Sequence, residues 1–247
     1  MRVATVNVAA ETDRYTMRLA ETSDELQAAQ RLRFEVFNIE LQEGLAESFA
    51  LGRDQDRFDA VCDHLLVEDK STGEIVGTYR MQTGESAGRN LGYYSATEFD
   101  FTPFEKARAQ MLELGRACIA EGHRNQSVLG LLWKGIARYA KAHQARYLVG
   151  CSSITSQDEA GGLGTYQKLA WRYEVAEPWR TLPLPGWRCE ETAGEPLKVP
   201  KLMAAYLALG ARICGEPALD QEFGTIVFLT WLDLESLPLR VLRKYLS

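Results

Sequence analysis

Residues 111–129 read MLELGRACIAEGHRNQSVL. The first ten residues are apolar and strand-like, yet Glu113 and Arg116 sit in their middle. Gly122 then breaks the run, and a polar loop hands over to residues with helical spacing. A charge buried in a strand is costly unless it is paired or used. The stretch is therefore either an internal ion pair or part of a reaction site, and its strand-loop-helix unit orders the rest of the chain.

Upstream, YTMRLAE (15–21) alternates like a strand. Ser23 then caps a helix whose inner side holds Leu26, Ala29, Leu32, Phe34, Val36 and Phe37 and which ends near Gly44. HLLVEDKSTGEIVGTYRMQT (64–83) reads as a hairpin with its turn at 71–73. Downstream, residues 127–143 form a helix with Val128, Leu131, Leu132, Ile136 and Tyr139 inward. The buried strand YLVGCSSI (147–154) follows, then a helix over 158–172, with Gly161, Gly162 and Gly164 read as a flexible connector. Pro178, Pro183, Pro185, Pro196 and Pro200 interrupt regular structure over 177–200. KLMAAYLALGARICG (201–215) is then a helix, TIVFLTWLD (225–233) a strand, and a short helix closes the chain. The expectation is a mixed α/β fold: a tail over 1–14 and a single domain over 15–247, with a C-terminal elaboration from about residue 177.

Composition narrows the function. The 247 residues are 46% hydrophobic, enough for a substantial core, and the formal charge of −6 opposes nucleic-acid binding by bulk electrostatics. Five cysteines without a C-x-x-C pair and three histidines give no zinc spacing. Asp54, Asp56, Asp59 and Asp63 lack the glycine of a calcium-binding hand, and Phe58 interrupts them, so no metal is expected. The N-terminus lacks a secretory apolar core, and TIVFLTWL is too short to cross a bilayer; a reduced, cytoplasmic protein is expected.

The element order, together with RLRFEVFNIEL (31–41), FDAVCDHLLV (58–67), GTYR (77–80), ELGRACI (113–119), YLVGCSS (147–153) and VPKLMAAYLALGARICGEPALDQEFGT (199–225), resembles the Gcn5-related N-acyltransferases (GNAT). The closest likeness is to the long-chain acyl branch: ornithine-lipid acyltransferases, N-acyl amino acid synthases and hemolysin-like proteins, with acyl-homoserine lactone synthases as cousins. The resemblance implies a central mixed sheet, flanked by helices, whose two parallel strands splay to admit a thioester's pantetheine arm between 111–120 and 147–154. It implies no bound cofactor, only an acyl thioester as co-substrate.

GNAT enzymes that use acetyl-coenzyme A carry R/Q-x-x-G-x-G/A at the helix start, where glycines admit a pyrophosphate. Here Arg124, Asn125, Gln126, Ser127, Val128 and Leu129 stand in its place, and Ser127 and Leu129 fill the two small positions. A single phosphate suits such a cradle better, which makes acyl carrier protein the preferred donor and acyl-coenzyme A the second. Arg124, Asn125, Gln126 and Ser127, with backbone groups of Cys151 and Ser152, are the candidate donor contacts. Lys134, Arg138 and Lys141 share a helix face that is either a docking ridge for the acidic carrier or a solvated side.

A carboxylate near the acceptor amine can take its proton, and Glu113 is the candidate base. By resemblance, Arg116 organises the acceptor pocket through the acceptor's carboxylate, while Arg33, Asp59, Asp63 and Arg80 shape its charged wall. The alternative for Glu113 and Arg116 is a structural pairing with Arg33 or Asp63. Tyr166 is the candidate acid for the departing thiolate, or a packing residue. No G-x-S-x-G elbow surrounds Ser152, so direct transfer is expected rather than a covalent intermediate.

Together these imply an N-acyltransferase moving a long, 3-hydroxylated acyl group from acyl carrier protein to the α-amine of ornithine. Glycine as acceptor, lactone synthesis and a non-catalytic lipid-binding protein are the alternatives. The C-terminal SLPLRVLRKYLS sets Val241, Leu242, Tyr245 and Leu246 beside Arg240, Arg243 and Lys244, which suits either packing on the domain or peripheral contact with the inner membrane face.

Overall fold

A computed structural model describes residues 7–237. The C-terminal helix and membrane stripe expected over 236–247 lie almost wholly outside the described residues. In chain order the elements are β1 (Ala10–Glu11), β2 (Tyr15–Leu19), α1 (Ser23–Phe34), α2 (Ser48–Leu51), β3 (Asp63–Asp69), β4 (Ile75–Thr83), α3 (Gly84–Arg89), β5 (Met111–Ile119) and α4 (Gln126–Ala142). Then come β6 (Tyr147–Thr155), α5 (Glu159–Tyr173), α6 (Lys201–Leu209), β7 (Arg212–Ile213), β8 (Ala218–Asp220) and β9 (Thr225–Asp233).

The chain divides into two compact units, one of residues 7–83 and 114–146 and one of 84–113 and 147–237, with β5 contributing to both. In the first unit β1, β2, β3 and β4 pair in sequence, each antiparallel to the next, and β4 neighbours β5. Residues 8–11, expected in the tail, are built in: Ala10 and Glu11 pair with Met17 and Thr16, and Val8 is buried. Thr22, rather than Ser23, caps α1 and forms a capping box with Glu25. After Phe34 the helix widens to π-helical turns over Glu35–Glu40. Helix α4 lies against β2 and β3 through Gly135, where an added Cβ would meet Leu65 and Met17.

In the second unit β5 pairs in parallel with β6 from Met111↔Tyr147 to Glu113↔Val149. Strand β6 runs antiparallel along β9 from Tyr147↔Asp233 to Thr155↔Thr225, and β7 and β8 both pair with β9. The mixed α/β sheet expected from the GNAT resemblance is thus present. Its core is aromatic: Trp231 stacks on Phe104 at 5.2 Å, Tyr147 at 4.6 Å and Trp179 at 4.9 Å, and Tyr93, Phe99 and Phe101 pack around them.

Two readings of this unit change. Gly210, with φ of +114°, ends α6 at Leu209, so the expected helix over 201–215 stops early and its last residues enter β7. Gly161, Gly162 and Gly164 are helical rather than a connector. A Cβ on Gly164 would overlap the Gly194 carbonyl, and one on Gly162 would crowd Ile226, so the glycines let α5 approach the 194–197 segment and β9 closely. Gly164→Ala should therefore lower unfolding stability by about 1–3 kcal/mol, read from urea denaturation, despite alanine's better helix propensity.

Candidate active site

In the first unit six charges assemble from α1, the 54–59 loop, β4 and β5. Arg33, in the last turn of α1 and fully buried, grips Asp59 with both terminal nitrogens, at 3.1 and 2.6 Å. It also reaches the Asp54 carbonyl at 2.6 Å and the Asp54 carboxylate at 3.1 Å. Arg80, from β4, donates to both Asp56 oxygens at 2.7 Å and to Asp59 at 2.9 Å. Arg116 closes the group at 3.1 Å from Asp56 and 3.6 Å from Asp54. Gln30 adds a bond to Asp59 at 2.9 Å, and the Phe58 ring lies beneath Arg80. Three arginines thus face three aspartates, so the buried cluster is charge-balanced, the condition under which buried ions are tolerated.

Local chemistry folds the loop. The Asp56 side chain accepts from the Phe58 amide at 2.8 Å, and its carbonyl accepts from the Asp59 amide at 3.1 Å, a turn that carries both carboxylates to Arg80 while Phe58 is buried. Burial pushes the Asp59 carboxyl up, but the charge and hydrogen bonds of Arg33 and the charge of Arg80 outweigh it and hold Asp59 well below the usual carboxylate range. Asp56 is lowered in the same way, burial being outweighed by Arg80 and Arg116. His64, paired across the strands with Arg80, has Nε2 at 3.0 Å from the Asp59 carbonyl, and burial holds it below its ordinary value.

Of the expected acceptor residues, Arg33, Asp59, Arg80 and Arg116 come together here. Asp63 stands apart: it is exposed and accepts from the Tyr139 hydroxyl. Asp54 and Asp56, considered above only as calcium ligands, complete the cluster. Arg116 has a positive φ of +50°, rare for a side-chain-bearing residue, which breaks the alternation of β5 between Glu113 and Arg116 as a bulge would.

In the second unit Glu113, 5% exposed, accepts from the Tyr94 amide at 2.9 Å, the Ser95 amide at 2.8 Å and the Ser95 hydroxyl at 2.7 Å. Nothing in the sequence motifs marked Tyr94 and Ser95 as its partners. The Cys151 thiol lies 3.4 Å from the Ser95 hydroxyl and 3.5 Å from Glu98. Burial and the Glu98 charge raise it well above the ordinary thiol value, so Cys151 stays protonated and is a poor nucleophile. Ser152 shares a hydrogen bond with Thr230. Tyr166 donates to Glu174, which also pairs with Arg180; burial and that hydrogen bond raise the phenol.

At the start of α4 the side chain of Asn125 accepts from the Ser127 and Val128 amides at 3.0 and 3.1 Å. A phosphate reaches those amides only by displacing it. Gln126 and Ser127 are exposed, and Arg124 forms a fork with Glu40 at 2.6 and 2.5 Å. On the helix face Lys141 is exposed and Lys134 half-buried, while Arg138 donates to the carbonyls of Val8 and Ala9 and so pins the N-terminal segment.

Comparison with known proteins gives this arrangement a setting. Residues 32–134 match the acetyltransferase (GNAT) domain family. The chain is 33% identical to the L-ornithine N(alpha)-acyltransferase of Brucella abortus, over 93% of this chain and 88% of that protein. It is 34% identical to the Agrobacterium fabrum protein of that name, over 92% and 84%. Among solved structures, FeeM, an N-acyl amino acid synthase from uncultured soil microbes, superposes with a TM-score of 0.58 at 12% identity, covering 92% of this chain and 95% of that one. BjaI, a CoA-dependent acyl-homoserine lactone synthase, gives 0.55 at 13%, covering 93% and 88%. These two share the fold. Identity over nine-tenths of the chain decides the rest: the protein is an N-acyltransferase of the GNAT class and belongs to the L-ornithine N(alpha)-acyltransferase family.

Proposed function

We propose that the chain transfers a long-chain 3-hydroxyacyl group from the phosphopantetheine thioester of acyl carrier protein to the α-amine of ornithine, releasing a lyso-ornithine lipid. The observation that carries the acceptor is the balanced cluster of Arg33, Arg80 and Arg116 with Asp54, Asp56 and Asp59. Ornithine in its reactive form has a neutral α-amine, a carboxylate and a side-chain ammonium, with no net charge. A cluster holding both signs can pair each end of it, Arg116 with the carboxylate and an aspartate with the ammonium, without stranding a charge.

In the reaction the amine nitrogen bonds to the thioester carbonyl and the carbon–sulfur bond breaks. The amine's proton passes through the Ser95 hydroxyl to Glu113, a relay that leaves the two backbone amide bonds to Glu113 intact. Tyr166 supplies the proton that the departing thiolate takes up. On the donor side, Ser127 and Leu129 filling the two small positions of the cradle favour the single phosphate of a carrier protein over a diphosphate. Lys134 and Lys141 remain the residues on which an acidic carrier would dock, with Arg138 adding charge beside them. Among the described residues no helix is long and apolar enough to cross a membrane. A product of this kind partitions into the bilayer, which gives peripheral contact with the inner face a purpose.

Mass spectrometry tests the whole reading. The purified chain, given a long-chain 3-hydroxyacyl group on carrier protein or on coenzyme A, with ornithine, glycine or S-adenosylmethionine, should form acyl-ornithine, and fastest from the carrier. A glycine amide or a lactone as main product would overturn the acceptor, and preference for coenzyme A the donor. No thioester cleavage with any combination would overturn both proposed substrates.

A further inference from the structure

Residues alternate across a strand, so Thr78, Arg80 and Gln82 share one face of β4. Gly77 faces the other way, where a Cβ would meet Val128 and Leu132 of α4. On β3, His64 lies directly across from Arg80 and joins the same face. All four are buried, from 1% exposed at Thr78 to 4% at His64 and Arg80. Arg80 belongs to the ion cluster. Each of the others holds a buried polar atom without a hydrogen-bond partner among the described residues: His64 Nδ1, Thr78 Oγ1, and both the oxygen and the nitrogen of the Gln82 amide.

Protein interiors leave few such groups, and each costs stability. Three of them beside one arginine form a buried polar face whose hydrogen bonding is incomplete among the described residues. Their chemistry is also mixed. The Asp59 carbonyl can only accept, so Nε2 of His64 carries the proton toward it and Nδ1 is an acceptor. Thr78 can do either, and Gln82 offers a donor and an acceptor in one plane.

We propose that Gln82 is a direct recognition residue for the acceptor amino acid. Its amide NH2 donates to the acceptor's carboxylate, its oxygen accepts from an acceptor N–H, and Thr78 and His64 complete the same polar face. The proposal rests on the amino-acid acceptor reading above and adds to it a neutral contact beside the charged cluster.

Replacing Gln82 by methionine separates recognition from structure, because the side chain keeps its length while the unmet amide disappears. Gln82→Met should raise the apparent Tm of the free enzyme by a few degrees. It should also raise KM for ornithine by about tenfold or more, with KM for the acyl donor unchanged. Ornithine should stabilise the wild type in thermal-shift measurements and the variant far less. A lower Tm or a failure to fold would show the amide to be satisfied in the free protein, and an unchanged KM for ornithine would remove the contact; either result overturns the proposal. If glycine rather than ornithine stabilises the wild type and Gln82→Met cancels that shift, the ornithine reading fails while the Gln82 contact stands. If ornithine stabilises both proteins equally, ornithine stands and the contact fails.

Discussion

Replacing Arg80 by methionine is expected to destabilise the first unit by about 3–5 kcal/mol, the usual loss when one partner of a buried ion pair is removed. At this chain size that corresponds to a fall of roughly 6–20 °C in apparent Tm. The reason is charge balance. Without Arg80, Arg33 and Arg116 face three buried aspartates, and Asp56 loses its two contacts at 2.7 Å. Coupling Arg80→Met with Asp56→Asn restores two charges of each sign, so the double variant should melt above the single one. Simple addition of two losses would show that the cluster does not act as a charge-balanced group.

The same cluster sets an acid limit. Asp56 and Asp59 have folded-state values held below the usual carboxylate range, so the stability they contribute is present above their unfolded value near 4 and is lost as pH falls toward the folded values. Tm of the wild type should be flat in this contribution above about pH 5 and drop below about pH 4. In Arg80→Met the carboxylates lose part of what lowers them. A smaller acid-dependent loss, starting from a lower plateau, should therefore be seen by calorimetry across that range.

Particular residues show why some of the fold could be read from the chain and some could not. The hairpin of β3 and β4 and strands β6 and β9 rest on short, nearly continuous apolar runs, and helix α4, found at Gln126–Ala142 against an expected 127–143, on a sustained apolar period of 3.6. Residues 84–110 have no such period. They fold as α3 and short 3₁₀ turns held by Tyr93, Phe99, Phe101 and Phe104, whose spacing of six, two and three matches no regular element. The glycines of α5 resemble a linker in composition, and the close approach of the Gly194 carbonyl and of Ile226 explains why a helix carries glycine there. At the site, Arg33, Arg80, Arg116 and Asp59 were reached through a family resemblance. Choosing between Asp56 and Asp63 as the companion of Asp59 needed the 56–59 turn, because it, and not the spacing, carries Asp56 to Arg80 and leaves Asp63 with Tyr139. Gln82 carries no signal at all until its surroundings are known.

Glu113→Gln should produce the largest loss of turnover, about 10²–10⁴-fold in kcat, the range associated with a general base. The amide is close in size to the carboxylate and keeps one oxygen for the Ser95 pair, but it cannot take up the relayed proton. Its nitrogen then points a donor at the Tyr94 amide, so some destabilisation accompanies the change. One comparison separates these effects. Ser95→Ala keeps Glu113 and both backbone amide bonds yet removes the relay hydroxyl, so it should lose kcat while remaining folded, with a Tm lowered only by the loss of that one hydrogen bond. If Ser95→Ala retains full turnover while Glu113→Gln is inactive and unfolded, Glu113 holds the 94–95 loop and the proton leaves by another route. If both variants turn over at wild-type rates at neutral pH with ornithine saturating, the base role is wrong and the buried carboxylate serves the fold alone.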